Sequence, residues 1–191
     1  MSREQLDEWC EKGILGLVLA ALVFGPLATG AVRPQDFLVI QGLTLGVIAL
    51  WLVRLWASRE TRLLWPPICW AVVLFVGYAI VRYRQADIEY VAREELLKIL
   101  VYAVLFFAIV NNLNRSESAQ TIAFTLIFLA MVISIYAVYQ YLTKSDHVWH
   151  FIRPAQYARR GPGTYIGSNH RAGLLEIILP RSKPILRRQA Q

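Results

Sequence analysis

Charge is scarce in this chain, and so are the residues that build stapled or metal-bound folds. Only 17% of its 191 residues are Asp, Glu, Lys or Arg, and it holds two cysteines and three histidines. Cys10 and Cys69 fall in an amino-terminal leader and in an apolar run, so they make no disulfide framework. His147 and His150, in "HVWH", have the i, i+3 spacing of one helical face, but no third ligand lies nearby and the pair is a poor zinc signal. The sequence has no internal repeat and no low-complexity segment. No metal, cofactor or nucleic-acid partner is expected.

What is abundant is apolar. Hydrophobic residues make up 57% of the chain and its mean hydropathy is +0.44, more than a soluble domain of this length would carry. A helix needs about 20 mostly apolar residues to cross about 30 Å of hydrocarbon. Five stretches meet that description, at about 14–32, 37–56, 64–81, 96–113 and 121–142. The expected fold is therefore all-α, a polytopic helical membrane protein lodged in the lipid bilayer. Trp51, Trp56, Trp65 and Trp70 stand near proposed span ends, where amphipathic rings favour the headgroup layer. In the first span, Gly25-Pro26 is expected to kink the helix, since proline removes a backbone donor and clashes with the preceding turn.

Residues 1–13 read as a leader ahead of the first span. "ATGA", Ala28 to Ala31, offers the small residues of a signal-peptide cleavage site. The leader is acidic where a signal peptide is basic, however, and more spans follow, so a retained helix is the expectation. Two polar connections are long. Arg82 to Glu95 carries both signs around Ile88 and Val91; it suits a short interfacial helix, with Lys98 snorkelling from the next span, or a solvated connector. The second is the polar, basic loop 143–171.

Basic residues collect on the cytoplasmic side of short loops. The leader and the two even connections carry six (Arg3, Lys12, Arg54, Arg59, Arg62 and Arg115), and the opposite side carries ten. Half of those ten belong to loop 143–171, and without it the count is six against five, which fixes no orientation. The loop itself has two readings. Arginine offers a planar fork of donors matched to phosphate oxygens, and Gly161, Gly163 and Gly167 would let backbone amides approach the same anion. Alternatively, the basic loop lies against anionic headgroups on the cytoplasmic face.

The order of residues bears on that choice. Arg160, Gly163, Thr164, Tyr165, Asn169, His170, Ala172, Gly173, Leu175 and Pro180 resemble a segment of the bacterial O-antigen ligase and polymerase family of membrane proteins. There an arginine precedes a Gly-Thr-aromatic turn, an Asn-rich turn follows, and the next membrane helix begins. "FGPLATGAVRP", closing the first span, is similar to the family's amino-terminal half. Arg171 departs from the pattern, standing where the family carries an apolar or aromatic residue.

The resemblance implies a glycosyltransferase of the bacterial inner membrane that uses undecaprenyl-diphosphate-linked glycan, with a cytoplasmic amino terminus and a periplasmic loop 143–171. It implies diphosphate contacts from Arg159 and Arg160, with Arg153 behind them, and support from Gly163, Thr164, Tyr165, Asn169 and His170. Thr164 and Asn169 would donate hydrogen bonds to the ligand or cap the following helix. The family's large histidine-bearing loop has no counterpart here. Residues 172–191 read as the first turns of a sixth helix passing into the basic tail "RSKPILRRQAQ", so the chain is expected to be a truncated amino-terminal half, inactive alone, with its catalytic residues unknown. Two alternatives stand beside it: a non-catalytic protein binding anionic or polyprenyl lipid, and an assembly subunit whose spans pack on helical partner subunits.

Overall fold

The computed structural model describes residues 3–28, 30–31, 33–57, 63–144, 147–148, 151–152, 164 and 172–176. Five helices dominate: α1 (Arg3–Leu27), α2 (Pro34–Ala57), α3 (Ile68–Arg84), α4 (Glu89–Asn112) and α5 (Ser116–Leu142). Two short strands, β1 (His147–Val148) and β2 (Phe151–Ile152), pair antiparallel. Among the described residues, α1, α2 and α5 are long and apolar enough to cross a bilayer, which makes the chain a helical membrane protein.

The other two expected spans are helices with shorter apolar stretches. Pro66 and Pro67 delay the start of α3 to Ile68, because neither offers a backbone N–H; their carbonyls instead receive the amides of Cys69 and Trp70. α4 opens on Glu89 and carries Arg93, Glu94, Glu95 and Lys98 before its apolar part begins. The polar stretch from Arg82 to Glu95 is divided between the end of α3 and the start of α4, so no separate interfacial helix forms. Gln85 and Ala86 donate back to the carbonyls of Arg82 and Tyr83 and close α3. The Tyr83 hydroxyl bonds Glu89 across the turn at 3.3 Å, and Lys98 pairs with Glu95 at 2.7 Å.

The chain divides into two compact units. The first comprises Met1–Val18 and Gln41–Asn114: the opening turns of α1, most of α2, and the α3–α4 pair. Its α1 and α2 segments run antiparallel in tight contact. A Cβ on Gly13 would lie 2.8 Å from Leu50 Cδ1, and one on Gly46 would lie 3.0 Å from Leu17 Cδ1. Small residues at such positions let helix backbones approach closely, a common device where lipid supplies no hydrophobic drive for helices to associate. Ile14, Val18 and Val47 are fully enclosed along this seam. Trp65 stacks on Phe107 with centroids 5.4 Å apart and meets the edge of Trp70 at 5.6 Å.

The second unit comprises Leu19–Ile40 and Arg115–Gln191. The buried residues of α5, Leu129, Ala130, Ile133, Ala137 and Gln140, recur at helical spacing and define one inward stripe. The outer face, with Phe128, Ile135 and Val138, is exposed and apolar, as a lipid-facing surface is. Hydroxyls within α5 bond back into their own helix: Thr121 to the Glu117 carbonyl at 2.9 Å and Thr125 to that of Thr121 at 2.8 Å. That removes the cost of carrying polar groups in an apolar helix.

Candidate functional site

Two polar sites stand out, one in each unit. The site in the second unit grows from the end of α1. Pro26 does not kink this helix midway; α1 ends one residue later, at Leu27. The last turn leaves carbonyls without intrahelical partners, and each needs an alternative. Ala28 N–H serves Phe24, and Gly30 N–H, at 2.9 Å, serves Gly25. Gly30 takes φ +82°, which glycine adopts freely, while Ala31, at φ +51° and buried, bears a left-handed conformation that costs a side-chain-bearing residue about 1 kcal/mol.

The Pro26 carbonyl is served from far along the chain. Thr164 Oγ1 donates to it at 2.7 Å, across 138 residues of sequence, and Thr164 is only 2% exposed. Its donor is thus spent on backbone, and its role in the fold is to pin position 164 to the end of the first helix. Of the other residues that the sequence singles out for the anion site, Arg153, Arg159, Arg160, Gly163, Tyr165, Asn169 and His170 lie outside the described residues. Ala172–Glu176 is helical, as expected for the start of a further helix.

The site in the first unit is built around Arg54. Arg54, on the same seam of α2 as Val47, spends its whole guanidinium on neighbours. Nε donates to Asp7 Oδ1 at 2.7 Å, Nη2 to Asp7 Oδ2 at 3.2 Å and to Glu11 Oε2 at 3.0 Å, and Nη1 to the Asn112 Oδ1 and carbonyl at 3.2 and 3.4 Å. Five N–H groups thus serve five acceptors, on α1 and on the end of α4. The side chains of Arg54 and Glu11 are 19% and 10% exposed, so the ions are largely withdrawn from water. Asn112 is itself buried and returns its amide to the Ala108 carbonyl at 2.9 Å. Next to it, Asn111 Oδ1 accepts the Leu64 amide at 2.8 Å and fixes the extended entry to α3.

This cluster explains why α1 opens at Arg3 instead of at Ile14, where the apolar run begins. Two of the acidic residues read as a leader, Asp7 and Glu11, face Arg54 from one side of this helix, and Cys10 and Glu11 are buried with it. The sequence signal was available in part: Asp7 and Glu11 stand one helical turn apart, on one face, and Arg54 interrupts an otherwise apolar run. What chemistry the cluster supports is limited by its saturation. With every donor of Arg54 engaged, it is a clamp joining three helices and offers no open fork to a ligand.

No protein family, curated protein or solved structure matches this chain.

Proposed function

We propose that this chain is the amino-terminal part of an O-antigen ligase-like glycosyltransferase of the bacterial inner membrane, handling glycan linked to undecaprenyl diphosphate. In this reading Arg159 and Arg160, backed by Arg153, grip the diphosphate, and Thr164 positions them by holding their turn against the first hairpin. Leaving-group charge at the diphosphate needs stabilisation, and arginines supply it without a metal. All five helices span the membrane, the amino terminus is cytoplasmic, and loop 143–171 is periplasmic.

The observation that carries the reading is the Thr164–Pro26 hydrogen bond, because it joins the two stretches on which the resemblance rests, the Gly-Thr-Tyr turn and "FGPLATGAVRP". Composition adds to it. Between Asp146 and Glu176 there is no carboxylate, while Arg153, Arg159, Arg160 and Arg171 fall in that interval. A run of arginines with no acid in its own stretch of sequence is suited to take a counter-ion from a ligand.

Titrating undecaprenyl diphosphate into the full chain, held in nanodiscs of neutral phosphatidylcholine, tests this. Arg159→Ala with Arg160→Ala removes two charge-assisted contacts and should weaken binding by about tenfold or more. Equal binding by both proteins, or no binding by either, rejects the reading. If phosphatidylglycerol competes as well as the diphosphate, the loop is a general anionic-lipid binder. Reporter fusions after Arg62 and after Arg160 test the topology; a cytoplasmic signal at Arg160 rules out a periplasmic site.

A further inference from the structure

The Arg54 cluster fixes a level in the first unit, and four tryptophans converge on it. Trp9 lies on α1 between Asp7 and Glu11, both bonded to Arg54, and Trp56 lies two residues beyond Arg54 on α2. The end of α4 joins the same level through Asn112. Its neighbour Asn111 holds the amide of Leu64, which brings Trp65 there, and Trp70 touches Trp65. All four rings face outward: Trp9 is 70% and Trp56 79% exposed, and Trp65 and Trp70 are exposed as well. Trp51, one turn nearer the apolar part of α2, is only partly exposed.

Four large amphipathic rings presented at one level, on apolar helices, suit the layer where hydrocarbon meets headgroups. Charge narrows the partner further. Residues 3–12 hold two bases and four acids, and residues 54–62 hold three arginines and one acid, so the formal charges cancel. A neutral girdle has no reason to select anionic lipid. We propose that Trp9, Trp56, Trp65 and Trp70 form an interfacial collar that seats the first unit in the glycerol–carbonyl layer of a phospholipid bilayer, with the Arg54 ion cluster closed inside it. The hydrocarbon boundary on this side then runs beside Trp9 and Trp56, and Asp7, Glu11 and Arg54 lie at headgroup depth. There a salt bridge shielded by protein is far less costly than at the bilayer centre.

The test is depth-dependent quenching of tryptophan emission in the full chain reconstituted in phosphatidylcholine vesicles. Variants keep one of the four tryptophans, with all others changed to Phe. Bromines near the carbonyl end of the acyl chains should quench each ring about twofold more strongly than bromines near the methyl end. Adding phosphatidylglycerol should leave that ratio unchanged. Should a single-tryptophan variant fail to fold, Trp9→Phe and Trp56→Phe in the otherwise native chain are read by the loss of shallow-quenched emission. Stronger quenching by the deep bromines or by aqueous acrylamide overturns the collar. So does protection from all three quenchers, which would mean that a protein partner covers these rings, and so does a ratio that depends on anionic lipid.

Discussion

Arg54 and the arginines of loop 143–171 are the same residue in contrasting stretches of sequence. Arg54 meets two carboxylates and an asparagine and has no donor left to give. Arg153, Arg159 and Arg160 stand in a stretch without a single acid. In a membrane protein this contrast would separate a cation that holds helices together from cations that, under the proposed function, meet an anion from outside. A count of basic residues, which treats all of them alike, leaves orientation undecided, in part because Arg54 is already neutralised within the fold.

The largest effect that would break the comparison comes from Arg54→Gln. It strands Asp7 and Glu11 without their counter-ion, at a cost approaching about 3 kcal/mol, the low end for breaking a buried pair, since this cluster is partly buried. Thermal unfolding in mild detergent should show a large drop, whereas Arg153→Ala, Arg159→Ala and Arg160→Ala combined should leave the midpoint nearly unchanged. If the loop variant destabilises as much as Arg54→Gln, the division between structural and ligand-seeking arginines fails. Next in size is salt. Raising sodium chloride from low to physiological and then to about 1 M shrinks the screening length from tens of ångströms to about 3 Å, so anion binding by the loop should fall steeply. The partly buried Arg54 clamp should keep its unfolding midpoint over the same range.

Smaller changes sharpen the picture. Thr164→Val keeps the shape of the side chain and removes its donor to the Pro26 carbonyl, at a cost of about 1 kcal/mol. Thr164→Ser should retain most of the stability, and a Val variant as stable as the wild type would remove the pin from the account. Gly13→Ala pushes a methyl against the tip of Leu50, which can turn aside; about 1 kcal/mol is expected. The smallest effect is a gain. Lys144 ends α5 with φ +52°, and Lys144→Gly should raise stability by less than about 1 kcal/mol.

How much of this was legible in the sequence varies with the range of the interactions. The apolar run at 121–142 and the helix α5, Ser116–Leu142, share an end, because apolar length alone dictates that helix. The run at 37–56 lies within α2 for the same reason. The start of α1 was hidden, since Asp7 and Glu11 look like solvated leader residues until their partner, more than forty residues away, is known. α3 and α4 form where apolar content predicts helices, but Pro66 and Pro67 delay α3 to Ile68, and α4 opens on charged turns ahead of its apolar part. At the candidate site, Thr164 was legible as a polar member of a turn. Its acceptor was not, because a backbone carbonyl at Pro26 leaves no mark in the pattern of side chains.

The bond between Thr164 and Pro26 also sets a clock on biogenesis. A ribosome adds about 5–20 residues per second, so the carbonyl at Pro26 emerges roughly seven to thirty seconds before the hydroxyl that will satisfy it. Through that interval the end of the first helix must rest on water or on lipid headgroups. Its final geometry is acquired only when the segment after the fifth helix has been made, and a chain stalled before residue 164 would keep that helix end unlatched.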